Sequence, residues 1–450
     1  MRRPAAEALA RAVSASAASK PARFLLLNPN WNFEKSIYFG CPQPHLALEF
    51  GYARDLLAWE GNEALILDAQ MENLTADEIR SRAIAFDPHF LVITTAPSYL
   101  FWRCPPPELR TPIQTLKDLD DLDCVRVVVG PHGSTTPKAS LRKLNADIVI
   151  LGECEEILPQ LLKPWSQLSS VCYWAGGNPW VQGSPHAANI QKLDALEWSA
   201  GYLRHHRHHH HRFDTTPTGP GAEVEASRGC PYHCTFCAKD NFRDDYRRRP
   251  VPTVLEEIDG LIDAGAEYVY FIDEIFLPNT PLLEGLVKRG IKFGIQTRID
   301  LWSHAAIDLL GRAGCVSIEA GVESITESGR EALAKKCKAS TQDLASRLKY
   351  AKERVPFVQA NLIRMENDDT EMVELWREDL QRHGVWANAP VPLFPYPGSP
   401  EYTARWGTPD DQAWERAHAY YLNQYQTFSD VQQQVPASLH ELEQMNAERC

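Results

Sequence analysis

Cys230, Cys234 and Cys237 lie in the segment SRGCPYHCTFC with the spacing C-x3-C-x2-C. Thiolates this close together hold metals, and cysteine-ligated centres usually have four corners, in tetrahedral zinc as in a four-iron cluster. Three cysteines leave one corner to something else. For zinc the fourth ligand within reach is His233. A histidine between two cysteine ligands has to fold back against a very short loop, and no second C-x2-C pair follows. For a four-iron cluster the open corner is an unsaturated iron that accepts a small chelating ligand. A methionine-derived sulfonium offers an amine and a carboxylate for that purpose and sets its sulfur beside a one-electron donor. Cleavage of its C–S bond releases a carbon radical.

Regular structure has to position such a loop. The chain has 450 residues, 44% hydrophobic and 23% charged, a globular composition long enough for roughly two or three domains. Residues 1–22 are Ala-, Arg- and Ser-rich without a long apolar run, so they read as a loose helical or disordered arm rather than a secretory signal. From 23 to 166 apolar strand-like runs (RFLLLNP, EALILDA, HFLVITTAP, VRVVVGPHG, ADIVILGE) alternate with helical spacing, and Thr75 with Glu78 forms a capping box. That alternation predicts a Rossmann-like parallel sheet covered on both faces, with ligands beyond the strands' carboxyl ends. Residues 167–221, with Gly176-Gly177, several prolines and the run HHRHHHHR, read as a linker. Residues 222–402 contain six further strand–helix units, too few for a closed eight-stranded barrel and right for a partial (β/α)6 barrel. Residues 403–450 read as a helical tail. The fold class is therefore α/β in both halves.

The cysteine segment, with aromatic Phe236 before the last cysteine and a strand before the first, resembles the radical S-adenosylmethionine (SAM) superfamily, in the form seen in its cobalamin-domain branch. FIDEIF (271–276), TRIDLWSHAAIDLLGRAGCVSIEAGVES (297–324) and PYPGSPEY (395–402) resemble later motifs of the same branch, so the likeness runs over about 221–402. It implies that Cys230, Cys234 and Cys237 ligate a [4Fe-4S] cluster and that Phe236 lies by the adenine of SAM. Asp273 and Glu274 would face the SAM amine or the substrate. Arg298, Glu323 and Ser324 would contact the SAM carboxylate and ribose. A cationic, hydroxylated ligand with one carboxylate suits a ring of acids plus one arginine. The family's glycine-bearing turn after the fifth barrel strand is replaced here by NLIRMENDDTEM, so no residue is carried over at that loop.

The first half resembles the family's cobalamin-binding domain in PHLALEFGYARDLLAWEGNEALILDAQ, VVVGPHGSTTP and ADIVILGECEEILPQL. The D-x-H-x-x-G motif that supplies a cobalt-binding histidine in many such proteins is incomplete: Asp87-Pro88-His89 is followed by Val92 where the glycine belongs, and it precedes a strand instead of following one. His89 therefore reads as structural. The resemblance places cobalamin at the strand ends, near Asn28, Trp31, Tyr99, Gly130, His132, Gly133, Gly152 and Glu153, without a motif histidine.

The implied function is a cobalamin-dependent radical SAM enzyme. It would methylate an unactivated centre of a small molecule through a 5'-deoxyadenosyl radical and methylcobalamin. A cyclisation or rearrangement enzyme of the same architecture is the second reading, and a non-enzymatic metal-binding module the third. Such an enzyme takes electrons from a flavodoxin- or ferredoxin-like partner. The net charge of −13 disfavours nucleic acid as a partner, which with the scattered Cys41, Cys104 and Cys124 sets aside methylthiolation of transfer RNA. No apolar stretch is long enough to span a membrane. Eleven scattered cysteines suit a reducing cytoplasm better than a disulfide framework.

Overall fold

Strand β1 (Arg23–Asn28) buries every residue from Phe24 to Asn28. Successive side chains leave opposite faces of a strand, so Phe24 and Leu26 enter one core while Leu25 and Leu27 enter another. A strand apolar on both faces needs cover on both, and the computed structural model supplies it. It describes residues 3–37, 44–99, 102, 104–204, 206, 219–243, 245–365, 368–424 and 436–445. Strands β2 (Glu63–Asp68), β3 (Phe90–Thr94), β4 (Val125–Val129) and β5 (Ile148–Ile150) join β1 in the parallel order β2-β1-β3-β4-β5. Helices Arg3–Ala17 and Leu48–Trp59 cover one face; Ala76–Phe86, Arg110–Asp118 and Pro137–Lys143 cover the other. The Thr75–Glu78 capping box forms.

Two segments are more ordered than their sequence suggested. In helix Arg3–Ala17, Ala5, Ala8 and Ala12 are fully buried against the sheet, because small residues at helical spacing let a backbone pack closely. Residues 171–182, expected within the linker, form strands β6 (Val171–Ala175) and β7 (Asn178–Gln182), which extend the sheet antiparallel. Gly176 and Gly177 turn this hairpin with φ of 56° and 83°, the conformation of a type I′ turn. Of the histidine run, only His206 falls within the described residues.

The second sheet is all parallel. Its strands are β8 (Gly221–Val224), β11 (Tyr268–Phe271), β12 (Lys292–Thr297), β13 (Cys315–Glu323), β14 (Phe357–Leu362) and β15 (Trp386–Ala387). Spatial order follows chain order and leaves β8 and β15 as edges, so this is an open six-stranded barrel. The two-residue strands β9 (Ser227–Arg228) and β10 (Arg247–Arg248) pair antiparallel and bracket the cysteine loop. Helices Pro400–Trp406, Ala413–Gln424 and Leu439–Gln444 follow. Trp414 of this tail returns to the first domain and stacks on His132 at 4.2 Å.

Carboxyl ends of both sheets face each other. A buried ion pair ties the barrel's first strand to the preceding segment: His206 Nε2 lies 3.0 Å from Glu223 Oε2, both fully buried. The Glu223 carboxylate also accepts from the Leu46 amide at 2.9 Å. Burial alone would drive His206 toward neutrality, but Glu223 overrides it and raises the pKa; burial likewise opposes ionisation of Glu223, which His206 holds at about 2. A histidine whose pKa is raised on folding contributes stability that is complete below its unfolded pKa and is lost as pH rises through the folded one. The unfolding midpoint is expected to fall as pH rises above about 6.5, the ordinary histidine value. His206→Gln is expected to start lower and lose less over that window, measured by thermal melts across the series.

Candidate active site

The loop between β8 and the helix Val251–Asp263 presents the cysteines, and a set of hydrogen bonds fixes its shape. Asp273 accepts from the Ala226 amide at 2.9 Å and from the Ser227 hydroxyl. The Gly229 amide donates to Glu274 at 2.8 Å. Gly229 has φ of 77°, and a Cβ there would lie 2.1 Å from the Asp245 carbonyl, so only glycine fits. Within the loop, the Thr235 amide donates to the Leu333 carbonyl at 3.0 Å and the Thr235 carbonyl accepts from the Glu401 amide at 2.8 Å. The last contact gives the PYPGSPEY segment its mechanical role: it braces the cysteine loop from below. Asn241 supports it, donating to the Pro397 carbonyl at 2.8 Å.

Cys230, Cys234 and Cys237 are half-buried, outside any disulfide, in the wall of one cavity. Burial pushes the Cys230 and Cys234 thiols up. Among the described residues, no three His, Cys, Asp or Glu side chains converge as ligands of a single ion do. His233 points outward, 55% exposed and 3.8 Å from Asp240.

The cavity opens at the carboxyl ends of the barrel strands. Phe236, Glu274, Arg298 and Glu323 line it with the cysteines, while Asp273 and Ser324 stay outside its wall. Asp273 is buried beneath the loop it clamps, and burial, opposed by the Ser227 and Ala226 hydrogen bonds, raises its pKa to about 7. Both residues of the Asp273–Glu274 pair lie beyond the end of β11 at Phe271, and of the two only Glu274 lines the cavity. Ser324 is fully buried and accepts from the Thr326 amide at 3.2 Å, shaping the turn into the next helix. Glu323 reaches the cavity through a register shift between Gly321 and Glu323, where Glu323 takes φ of 64°. Such bulges re-aim side chains next to sites.

Several lining residues were not foreseen. Gln296, Glu319 and Asn361 sit on β12, β13 and β14; their signal is polar residues at inward positions of otherwise apolar strands. Tyr232 lies in the cysteine loop with the Arg298 guanidinium 4.1 Å over its ring. Arg298 also pairs with Asp300 at 2.8 Å. Lys335, from an irregular loop, pairs with Glu323.

Residues 224–375 match the family model of the radical SAM superfamily. The chain carries a radical SAM domain. On that domain it is an enzyme. It is similar to the anaerobic magnesium-protoporphyrin IX monomethyl ester cyclase of Rubrivivax gelatinosus, with 24% identity over 326 residues, 68% of this chain and 56% of that protein. It spans a little over half the length of curated relatives that it matches. The fold matches that of the radical SAM methyltransferase TsrM from Kitasatospora setae, solved with cobalamin and a [4Fe-4S] cluster bound. That match has a TM-score of 0.65 and 17% identity over 85% of this chain and 77% of that one. The cobalamin-dependent radical SAM enzyme OxsB, solved with aqua-cobalamin and SAM, matches with a TM-score of 0.63 and 16% identity over 95% of this chain and 58% of that one. Both are likenesses of fold. Among the described residues no helix is long and apolar enough to cross a membrane.

The first domain meets the radical SAM domain through buried charge. Arg228, two residues before Cys230, lies 2.8 Å from Glu155, 2.9 Å from Glu225 and 3.2 Å from Glu153. Arg243 lies 2.7 Å from Glu225, 2.9 Å from Glu274 and 3.1 Å from Glu153. Both guanidinium groups stack over Tyr99, at 4.8 and 3.9 Å. Burial pushes Glu153 up, yet Arg228, Arg247 and Arg243 outweigh it and hold it at about 2.

The residues associated with cobalamin by resemblance make several different contacts in the structure. Glu153 and Tyr99 belong to this charge node. Asn28 donates to Asp68 at 2.9 Å and accepts from the Trp31 indole at 2.9 Å. Gly130, Gly133 and Gly152 serve close packing: a Cβ on each would meet Thr95, Val149 and His186 within 2.6 Å. His132 is buried beneath Trp414 with Nε2 3.3 Å from the Pro107 carbonyl, and burial lowers its pKa to about 3. His89 accepts from the Arg23 amide at 3.0 Å at the amino edge of the sheet.

Breaking a buried pair strands its partner charges and costs about 3–5 kcal/mol. Arg243→Met is expected to lower the unfolding midpoint by a correspondingly large amount. Arg247→Met, whose side chain is 20% exposed, is expected to lower it far less; denaturant titration of the two variants provides the comparison.

Proposed function

We propose that this chain is a cobalamin-dependent radical SAM enzyme that transfers a methyl group to an unactivated centre of a small molecule. The observation that carries the reading is the three cysteines in one cavity wall at the barrel strand ends, with the Rossmann-like domain locked against those same ends. Cys230, Cys234 and Cys237 would hold a [4Fe-4S] cluster, and its open iron would take the amine and carboxylate of SAM. Bound there, the cluster supplies the electron that cleaves the sulfonium, and cobalamin supplies a methyl carrier.

The residues around the cavity have the chemistry to hold SAM. Glu323 accepts from ribose hydroxyls or an ammonium. Arg298, stiffened by Asp300 and stacked on Tyr232, supplies a fixed cation. Phe236 offers a flat apolar surface to the adenine. On the side of the first domain, buried Tyr52, Tyr99 and Trp102 have polar atoms without partners, and so does Glu49. Unsatisfied buried polar atoms are costly, and this set fits a large ligand fringed with amides, as a corrin is. Gln296, Glu319 and Asn361 remain for the substrate. A flavodoxin- or ferredoxin-like protein is the proposed electron donor, and the cytoplasm the proposed compartment.

Likeness to the ester cyclase supports a second reading, cyclisation or rearrangement without methyl transfer. Products separate the two. Anaerobically reconstituted protein with hydroxocobalamin, SAM and a reductant is expected to form S-adenosylhomocysteine and 5'-deoxyadenosine in equal amounts when a substrate is turned over. Deoxyadenosine alone favours the second reading. Cys230→Ala is expected to lose the brown four-iron chromophore, and a colourless zinc-loaded wild type contradicts both.

A further inference from the structure

Lys335 stands in the wall of the cysteine cavity with 2% of its surface exposed. Burying an ammonium is costly unless it is paired, and this one is paired with Glu323. Its backbone is held with equal care. Ala334 and Lys336, on either side, take φ of 51° and 50°, a left-handed conformation that costs non-glycine residues energy. The Arg298 guanidinium donates to the Lys335 carbonyl at 2.5 Å. Two residues earlier, the Leu333 carbonyl accepts from Thr235 of the cysteine loop. The lysine loop and the cysteine loop are therefore one hydrogen-bonded unit. Lys335, Arg298 and Glu323 line the same cavity wall as Cys234.

We propose that Lys335 is a positioning residue for charge: its ammonium, oriented by Glu323 and by the strained loop, offsets the negative charge that one-electron reduction adds at the cysteine-held cluster, and so sets that centre's reduction potential. The inference rests on the cluster reading above. The electron comes from an external low-potential donor, and Lys335 exchanges neither proton nor bond. Net charge near a cluster is one of the levers that fix its potential, and a buried charge at short range acts with little screening.

The test is the midpoint potential of the anaerobically reconstituted full chain, titrated with dithionite and followed by electron paramagnetic resonance. Lys335→Met is expected to shift the midpoint to more negative potential, and Lys335→Arg to return it close to wild type. Glu323→Gln, which leaves the ammonium unopposed, is expected to shift it the other way. An unchanged midpoint in Lys335→Met at wild-type iron content overturns the inference. Should Lys335→Met load little iron, Glu323→Gln decides: no positive shift there overturns it as well. A wild type without any reducible four-iron signal overturns the cluster reading itself, and with it this assignment.

Discussion

Arg228 and Arg243 have no solvent exposure and draw on carboxylates from both halves of the chain: Glu153 and Glu155 from the first domain, Glu225 and Glu274 from the second. A buried ion pair rarely adds stability over a packed apolar substitute, because desolvation consumes most of the Coulomb gain. Its value is geometric. A guanidinium that loses a partner here is left charged in a dry interior, so alternative domain arrangements are disfavoured by several kcal/mol. Arg228 is separated from Cys230 by one residue, and Glu274 holds the amide of that residue. The node that fixes how the domains meet is therefore the node that fixes where the cysteine loop begins.

Its charge balance reaches one shell further. Four carboxylates face Arg228, Arg243 and the partly exposed Arg247. Glu49, on the helix Leu48–Trp59, adjoins this group, and burial together with Glu155 pushes its pKa to about 8. Arg243 acts against that rise without cancelling it.

Backbone strain gathers at the same cavity. Among the described residues nine non-glycine positions have positive φ, and several are Asn, Asp or Ser in surface turns. Glu323, Ala334 and Lys336 have no such excuse of side-chain chemistry, and all three surround the ion pair of Lys335 and Glu323. Strain of this kind persists only where neighbouring structure over-determines it. Here the bulge in β13, the Arg298 contact and the Thr235 contact do so.

The strands, the open barrel and the cysteine motif were legible because they depend on local periodicity and spacing. Hairpin β6–β7 was missed: its Gly176-Gly177 turn signal lies in a stretch rich in proline and glycine that reads as a linker. The ionic node was not legible: Glu153 and Arg228 are 75 residues apart, and nothing local to either marks the other. Lys335 was hidden for a related reason, as irregular loops have no period from which a side chain's direction can be inferred. The motif residues Asp273 and Ser324 show the converse limit. A motif names the neighbourhood of a site, but the direction of each side chain follows from the pleat and the turn. Asp273 and Glu274 stand side by side in the irregular segment after β11, where one serves the loop's foundation and the other lines the cavity. The foundation is no less necessary to the site, since Asp273 fixes Ala226 and Ser227 while Glu274 fixes Gly229, and together they set the approach to the first cysteine.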